Sequence, residues 1–224
     1  MRHPAVPGPG PALRTGLYPI VDVGALERRG IDILDFAQRV IAQRPPLLQL
    51  RAKHTSARET LALLRALRGP TRAAGVALFE NDRPDLALLA ECDGVHVGQT
   101  DLGVEDVRRV APGLAVGVST HDAEQLALAL AARPDYVAFG PVFATQSKAA
   151  SDPVVGLEGL SRAAESARRA GIALVAIGGI DADTVGQVGS LGALAAVIGA
   201  LLPASSDLDE VGARCLALIE SLGA

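Results

Sequence analysis

Tryptophan is absent from this chain of 224 residues, and aromatic side chains make up only 3% of it. Cysteine is also scarce: Cys92 and Cys215 lie far apart and lack the spacing of metal ligands. Each lies in an apolar stretch, so we expect two reduced, buried thiols and no disulfide. Free thiols of this kind are typical of a reducing compartment.

Two other features are missing. The lysines and arginines are scattered over a chain of net charge -4, so there is no basic stripe of the kind that binds a nucleic-acid backbone. No run reaches the roughly 18 apolar residues that a membrane-spanning helix needs. Nucleic acid and membrane are therefore not expected partners, and the protein is expected to be soluble and cytoplasmic. Whether it forms a homo-oligomer stays open.

The N-terminal segment differs from the rest in composition. Residues 1–14 alternate proline, glycine and small side chains, and they contain no continuous apolar stretch like that of a secretory signal. We expect residues 1–15 to be a flexible tail. Residues 16–224, nearly half of them apolar, are enough for one large core and form a single predicted domain.

Short β-branched runs alternate with amphipathic stretches from Gly16 onward, which is typical of parallel strands joined by helices. Abundant alanine, valine and leucine with few aromatics suit a barrel filled with branched aliphatic side chains. We therefore predict a single α/β domain, a (β/α)₈ TIM barrel. Its eight predicted strands are Leu17–Asp22, Leu47–Arg51, Val76–Glu80, Gly94–Gly98, Leu114–Ser119, Tyr136–Gly140, Ala173–Ile177 and Leu194–Ile198.

Polar or glycine residues follow every predicted strand, at the end of the barrel where such folds carry their chemistry. In chain order they are Asp22; Gln49, Arg51 and Lys53; Asn81 and Asp82; Gln99 and Asp101; Ser119 and His121; Thr145, Ser147 and Lys148; Gly178 and Gly179; and Gly199. Strand alternation places Gln49, Arg51 and Lys53 on the same side, which suggests a shared ligand, although ordinary rim charges would also fit.

Two carboxylates in this set are candidates for a metal site. Asp82 and Asp101 follow neighbouring strands and could hold Mg²⁺. Asp82 could equally cap a helix that begins with Pro84, and Asp101 could cap a helix that begins near Gly103. Spacing alone does not separate these interpretations.

Other members have ordinary alternatives too. Ser119 could cap the fifth helix, and His121 is better explained as a solvated first-turn residue than as a catalytic one. His96 is expected to be a strand residue with its hydrogen bonds satisfied. Gly178–Gly179 could form a tight turn, but phosphate binding by their backbone N–H groups is favoured. Lys148 lies in a long loop and could be either solvated or functional.

Charge selects the ligand class. If Asp82 and Asp101 neutralise Mg²⁺, the cationic Arg51, Lys53 and Lys148 are left to bind an anion of several charges, such as a diphosphate. The glycines after the last two strands would offer a smaller site for a monophosphate. Two phosphorylated small-molecule substrates are thus implied.

The chain resembles the thiamine phosphate synthase family over almost its whole length after the tail. The segments that carry the resemblance are LYPIVD (17–22), QLRAK (49–53), NDRPDLAL (81–88), DGVHVGQTDL (93–102), VGVSTHDAEQ (116–125), DYVAFGPVFATQSK (135–148), VGLEGL (155–160) and VAIGGI (175–180).

The resemblance implies a (β/α)₈ transferase that joins a hydroxymethylpyrimidine diphosphate to a thiazole phosphate, releasing pyrophosphate through a pyrimidine methylene cation. Asp82 and Asp101 would hold Mg²⁺. The catalytic residues would be Arg51, Lys53, Ser119 and Lys148. Substrate binding would involve those four together with Gln49, Asn81, Thr145, Gln146, Ser147, Gly179, Ile198 and Gly199.

The chain departs from the family pattern at two places. The family usually has threonine at Ser147, and a Val-Ser pair at Ile198–Gly199, so one hydroxyl for the thiazole phosphate is lost. The related thiazole tautomerase is the first alternative, but it has histidine where Pro141 stands and lacks the aspartate at Asp101. A non-catalytic binder of a phosphorylated metabolite is the second.

Overall fold

A computed structural model of the protein describes residues 15–145, 153–204 and 208–223. Within these ranges eight parallel strands form a closed barrel in which each strand pairs with the next and β8 pairs with β1. The strands are β1 (Leu17–Asp22), β2 (Leu47–Arg51), β3 (Ala77–Asn81), β4 (Gly94–Val97), β5 (Ala115–Thr120), β6 (Tyr136–Phe139), β7 (Ala173–Ile177) and β8 (Leu194–Val197). The predicted (β/α)₈ barrel is confirmed.

Helices connect the strands and cover the barrel. They are α1 (Val23–Glu27), α2 (Ile33–Ile41), α3 (Ala57–Ala74), α4 (Pro84–Leu89), α5 (Val104–Val110), α6 (Ala123–Ala131), α7 (Gly156–Ala170), α8 (Val185–Gly189) and α9 (Asp209–Leu222), with a 3₁₀ helix at Gly199–Leu201. No helix in the described part of the chain is long and apolar enough to cross a bilayer.

The predicted strand bounds agree with the structure to within one residue at every end. Helix starts follow local chemistry as well: Ser56 and Glu59 form a capping box at α3, and Asp122 caps α6 by accepting from the N–H of Gln125, as predicted. The predicted tail, apart from Thr15, lies outside the described residues.

The core has two layers. One lies between the strands and the helices and is mainly aliphatic. The other fills the barrel interior, where the rings of Tyr18, Phe79 and Tyr136 pack edge-on or tilted with centroids 5.8–6.5 Å apart. Branched aliphatic side chains are present in the interior, as expected, but they share it with aromatic rings, because both tyrosines of the chain lie inside the barrel.

Two strand glycines make room for these rings. A Cβ on Gly94 would lie 2.2 Å from a ring carbon of Phe79, and one on Gly117 would lie 1.9 Å from Tyr136 Cζ. Such distances are far below van der Waals contact. Glycine at these strand positions is therefore needed for close packing, since neither residue has a positive φ.

Both cysteines are free and buried, as predicted. Burial raises the pKa of each thiol to about 12, so both stay protonated at pH 8 and lack the nucleophilic thiolate. We expect Ellman's reagent at pH 8 to release almost no colour from the native protein within minutes and to titrate both thiols in denaturant. Rapid reaction of the native protein would contradict the buried placement.

Candidate functional site

A cavity of about 870 Å³ opens at the carboxyl ends of the strands. It brings together most of the residues that the sequence singled out. The predicted site residues that line it are Gln49, Arg51, Lys53, Asn81, Asp82, Asp101, Ser119, Ile198 and Gly199. Asp22 after β1 lines the cavity as well, so the expectation that polar or glycine residues after separate strands gather at one rim is met for six of the strands.

The three predicted residues at the carboxyl end of β2 share one side, as alternation predicted, and each has a partner. Gln49 is buried and donates from Nε2 to the hydroxyl of Tyr18 over 2.8 Å. Arg51 forms an ion pair with Asp22, which also caps α1 by accepting from Ala25 N. These are not ordinary rim charges, because Arg51 and Asp22 are largely shielded from solvent.

Lys53 and the two carboxylates form the second charged group. Lys53 Nζ lies 3.0 Å from Asp82 Oδ2. Burial raises the pKa of Asp82, the Lys53 ammonium opposes that rise, and the nearby Asp101 carboxylate adds to it. Two carboxylates that repel each other are a place where a cation would be stabilising.

The capping alternatives for these carboxylates are wrong. Asp82 has a left-handed backbone (φ 73°), and its N–H donates to His96 O over 2.8 Å. Helix α4 begins at Pro84 after Arg83 without a side-chain cap. Asp101 accepts from Gly98 N over 2.8 Å, and α5 likewise begins without a side-chain cap. The side chains of Asp82 and Asp101 are therefore not used to start a helix.

Mg²⁺ fits this pair chemically. It prefers carboxylate oxygens and usually takes one or two of them, completing its shell with water and substrate phosphate oxygens. Among the described residues there is no cluster of three or more His, Cys, Asp or Glu side chains that would form a full protein cage. Asp82 and Asp101 would supply two carboxylate ligands to such an ion.

Ser119 does not cap a helix, and His121 is not a solvated residue in the first turn of one. Ser119 lies inside β5, buried, with Oγ 2.8 Å from His96 Nε2, while Asp122 is the cap of α6. His121 is half-buried at the cavity wall, and its Nδ1 lies 2.6 Å from Gly140 O. The expectation that His121 is a solvated first-turn residue is wrong. His96, as expected, is a strand residue with satisfied hydrogen bonds.

The glycine pair after β7 forms a tight turn. Gly178 and Gly179 have φ of 99° and 64°, and a Cβ on Gly179 would lie 2.4 Å from Ala144 O. This turn therefore packs against the loop after β6, next to Thr145. Neither Gly179 nor Thr145 is among the residues that line the cavity. Gln146, Ser147 and Lys148 lie outside the described residues.

Sequence reasoning missed several residues of the site. Arg28 and Arg29 line the cavity from the segment after α1, and Tyr18 lines its floor. The signal for Tyr18 was alternation along β1, which places it on the side of Ile20 and Asp22. No signal in the sequence distinguished the two arginines from solvated ones.

Glu80 was also missed. It points from β3 toward the helix layer, is only 2% exposed, and accepts from Arg83 N over 2.6 Å. Burial raises its pKa to about 9. Glu80 thereby anchors the turn that carries Asp82, a role that its charge alone would not suggest for a strand residue.

Comparison with known proteins agrees with this geometry. The family described as "Thiamine monophosphate synthase" matches residues 17–201. The chain belongs to this family. Its members are transferases of thiamine biosynthesis that act on small molecules, and the chain is an enzyme of this kind.

Individual members of the family support the assignment. Thiamine-phosphate synthase of Koribacter versatilis is 47% identical over 147 residues, which cover 64% of this chain and 69% of that protein. Thiamine-phosphate synthase of Myxococcus xanthus is 43% identical over 149 residues, which cover 66% of this chain and 67% of that protein. The solved thiamine phosphate pyrophosphorylase of Pyrococcus furiosus superimposes with a TM-score of 0.80 at 28% identity, covering 92% of this chain and 95% of the other.

Proposed function

We propose that this enzyme couples hydroxymethylpyrimidine diphosphate to a thiazole phosphate, forming thiamine phosphate and releasing pyrophosphate. The observation that supports this most strongly is the gathering of Arg51, Lys53, Asp82 and Asp101 at one cavity. A volume of about 870 Å³ is ample for two small heterocycles. We place the reaction in the cytoplasm, in keeping with two free buried thiols.

The proposed chemistry has two bond changes. The C–O bond between the pyrimidine methylene and the diphosphate breaks, and its electron pair leaves with pyrophosphate. The lone pair of the thiazole nitrogen then forms a C–N bond to the methylene cation. That nitrogen has no proton to lose, so neither a protein nucleophile nor a general base is needed.

Catalysis in this proposal is electrostatic and positional. Negative charge grows on the departing diphosphate, and Arg51 and Lys53 would stabilise it from the cavity wall together with Lys148. Mg²⁺ held by Asp82 and Asp101 would supply a further positive charge to the same oxygens. The ion pair with Asp22 would keep Arg51 oriented before the substrate arrives.

The remaining binding roles follow the cavity wall. Gln49, Asn81 and Ser119 would contact the pyrimidine diphosphate. The thiazole phosphate would bind at Ile198 and Gly199, and the family resemblance adds Gly179 and the residues from Thr145 to Ser147 to that site. The packing of Gly179 against Phe143 and Ala144 supports treating that turn and the loop after β6 as one site.

The direct test is to incubate the purified protein with both precursors and Mg²⁺ and to measure thiamine phosphate and pyrophosphate. We expect both products in equal amounts and expect a chelator to abolish them. Binding of the precursors without turnover would favour a binding protein, and isomerisation of a thiazole would favour a tautomerase. Full turnover in the presence of chelator would contradict the Asp82/Asp101 metal assignment.

Gly199 offers a test of the second substrate site. Gly199→Ser would restore a hydroxyl at the cavity wall, and one hydrogen bond to a phosphate should lower KM for the thiazole phosphate by about tenfold. Steady-state kinetics with the diphosphate saturating would measure this. Gly199→Ala adds a Cβ without the hydroxyl and is the matched control. An unchanged KM in the serine variant would place the phosphate elsewhere.

A further inference from the structure

A continuous row of hydrogen bonds crosses the barrel at the floor of the cavity, and all of its side chains except that of Tyr136 line the cavity. Gln49 Nε2 donates to the hydroxyl of Tyr18, which lies 2.8 Å from the hydroxyl of Tyr136. The hydroxyl of Tyr136 lies 2.8 Å from His96 Nδ1, and His96 Nε2 lies 2.8 Å from Ser119 Oγ. This row of hydrogen bonds therefore begins at Gln49 on β2 and ends at Ser119 on β5, and both are proposed substrate-binding residues.

This row of hydrogen-bonded side chains is buried along its whole length. Its five side chains are between 0% and 9% exposed, and Tyr136 is completely buried. Hydrogen bonds in such surroundings are strong, and a polar group left without a partner is costly. Burial also raises the pKa of Tyr18 and Tyr136, so each hydroxyl keeps the one proton that it can donate.

The direction of donation follows from the first bond. Tyr18 has two hydrogen-bond partners among the described residues, and since Gln49 Nε2 can only donate, we assign the Tyr18 proton to the hydroxyl of Tyr136. By the same reasoning the proton of Tyr136 is assigned to His96 Nδ1, its other partner, which makes Nδ1 the unprotonated nitrogen of the ring. His96 then carries its proton on Nε2 and donates to Ser119 Oγ.

The two ends of this row of hydrogen bonds therefore offer different donor and acceptor groups to a ligand. Gln49 keeps Oε1 as an acceptor together with its second N–H, and Ser119 keeps its hydroxyl proton as a donor. Both residues line the cavity. A ligand with an N–H group on the β2 side and an acceptor, such as an anionic oxygen or a ring nitrogen, on the β5 side would pair with Gln49 Oε1 and with the Ser119 hydroxyl.

We propose that Tyr18, Tyr136 and His96 are positioning residues that orient the amide of Gln49 and the hydroxyl of Ser119 as one unit. The inference rests on the proposed function for its kinetic consequences, but its structural content concerns the free protein. It favours heterocycles with an N–H donor at one edge and an acceptor or anionic group at the other. It also assigns His96 the Nε2–H tautomer.

The test begins with Tyr136→Phe, which keeps the ring and removes the link between Tyr18 and His96. We expect KM for the pyrimidine diphosphate to rise about tenfold while KM for the thiazole phosphate stays within about twofold. In ¹⁵N NMR of the ligand-free protein, His96 should show the Nε2–H tautomer in the wild type and lose that uniform state in the variant.

Two further variants separate positioning from packing. Tyr18→Phe should raise the same KM but leave the His96 tautomer intact, because the bond from Tyr136 remains. Phe79→Leu loosens the packing around the rings of Tyr18 and Tyr136 and removes no hydroxyl. It should therefore lower the melting temperature but leave the KM values for both substrates and the His96 tautomer unchanged.

The double variant Tyr18→Phe/Tyr136→Phe should raise KM for the pyrimidine diphosphate no further than Tyr136→Phe alone, because the single variant already interrupts the row of hydrogen bonds. The inference would be overturned by the Nδ1–H tautomer in the wild type, by an unchanged KM in Tyr136→Phe, or by an equal rise in Phe79→Leu. The tautomer measurement needs no turnover, so it stands even if the protein forms no thiamine phosphate.

Discussion

Changing Asp82 and Asp101 together to asparagine is expected to lower kcat/KM for thiamine phosphate formation by about a thousandfold. The double variant keeps the shape of both side chains but removes the charges that would hold Mg²⁺ against the departing diphosphate. The measurement is steady-state kinetics over a range of Mg²⁺ concentrations. Each single variant should show a smaller loss that extra Mg²⁺ partly restores.

Loss of folding should not confuse this result. Burial and the mutual repulsion of Asp82 and Asp101 disfavour the charged form of Asp82 in the folded protein. A neutral amide is therefore expected to leave the melting temperature unchanged or to raise it slightly. Asp106→Asn is the matched control, because Asp106 is exposed on α5 and pairs only with Arg109 among the ion pairs of the described residues. Activity equal to wild type in the double variant would refute the metal assignment.

Gly117→Ala should have the largest effect on stability. Its Cβ would lie 1.9 Å from Cζ and 2.3 Å from the hydroxyl of Tyr136, a ring held on both sides by Tyr18 and His96. The ring is fully buried and packs against Tyr18, Phe79 and His96, so we expect the free energy of unfolding to fall by about 3 kcal/mol or more. Denaturant unfolding followed by circular dichroism measures this.

The control for that variant is another glycine-to-alanine change. Gly212 lies in α9, and a Cβ there meets only the flexible end of Gln43, at 3.2 Å. Gly212→Ala should leave the free energy of unfolding unchanged or raise it by up to about 1 kcal/mol, because alanine favours the helical conformation more than glycine does. If Gly117→Ala unfolded at the same denaturant concentration as wild type, the packing around Tyr136 would differ from that described.

The fold was readable from the sequence because its signals are local. β-branched runs, helix caps such as Asp122 and the spacing of polar residues after each strand depend on a few neighbouring residues. They predicted every strand to within one residue. Alternation along β2 likewise predicted that Gln49, Arg51 and Lys53 share one side, since a strand turns each side chain by half a turn.

The site was only partly readable. Asp82 and Asp101 could have been helix caps or metal ligands, because short-range chemistry is the same for both roles. The structure separates them by placing Asp82 beside Lys53 and by starting both helices without those carboxylates. No sequence pattern signalled the burial of Glu80, since that depends on which helices cover β3.

Local pattern was thus enough to set the strands, the helix starts and the order of polar groups around the rim. Barrel closure decided the rest, because it brings residues far apart in the chain within hydrogen-bonding distance. Tyr18 and Tyr136 are separated by 118 positions and meet at 2.8 Å. A contact of that kind exists only when β1 and β6 face each other across a closed interior, and no short segment of sequence carries that information.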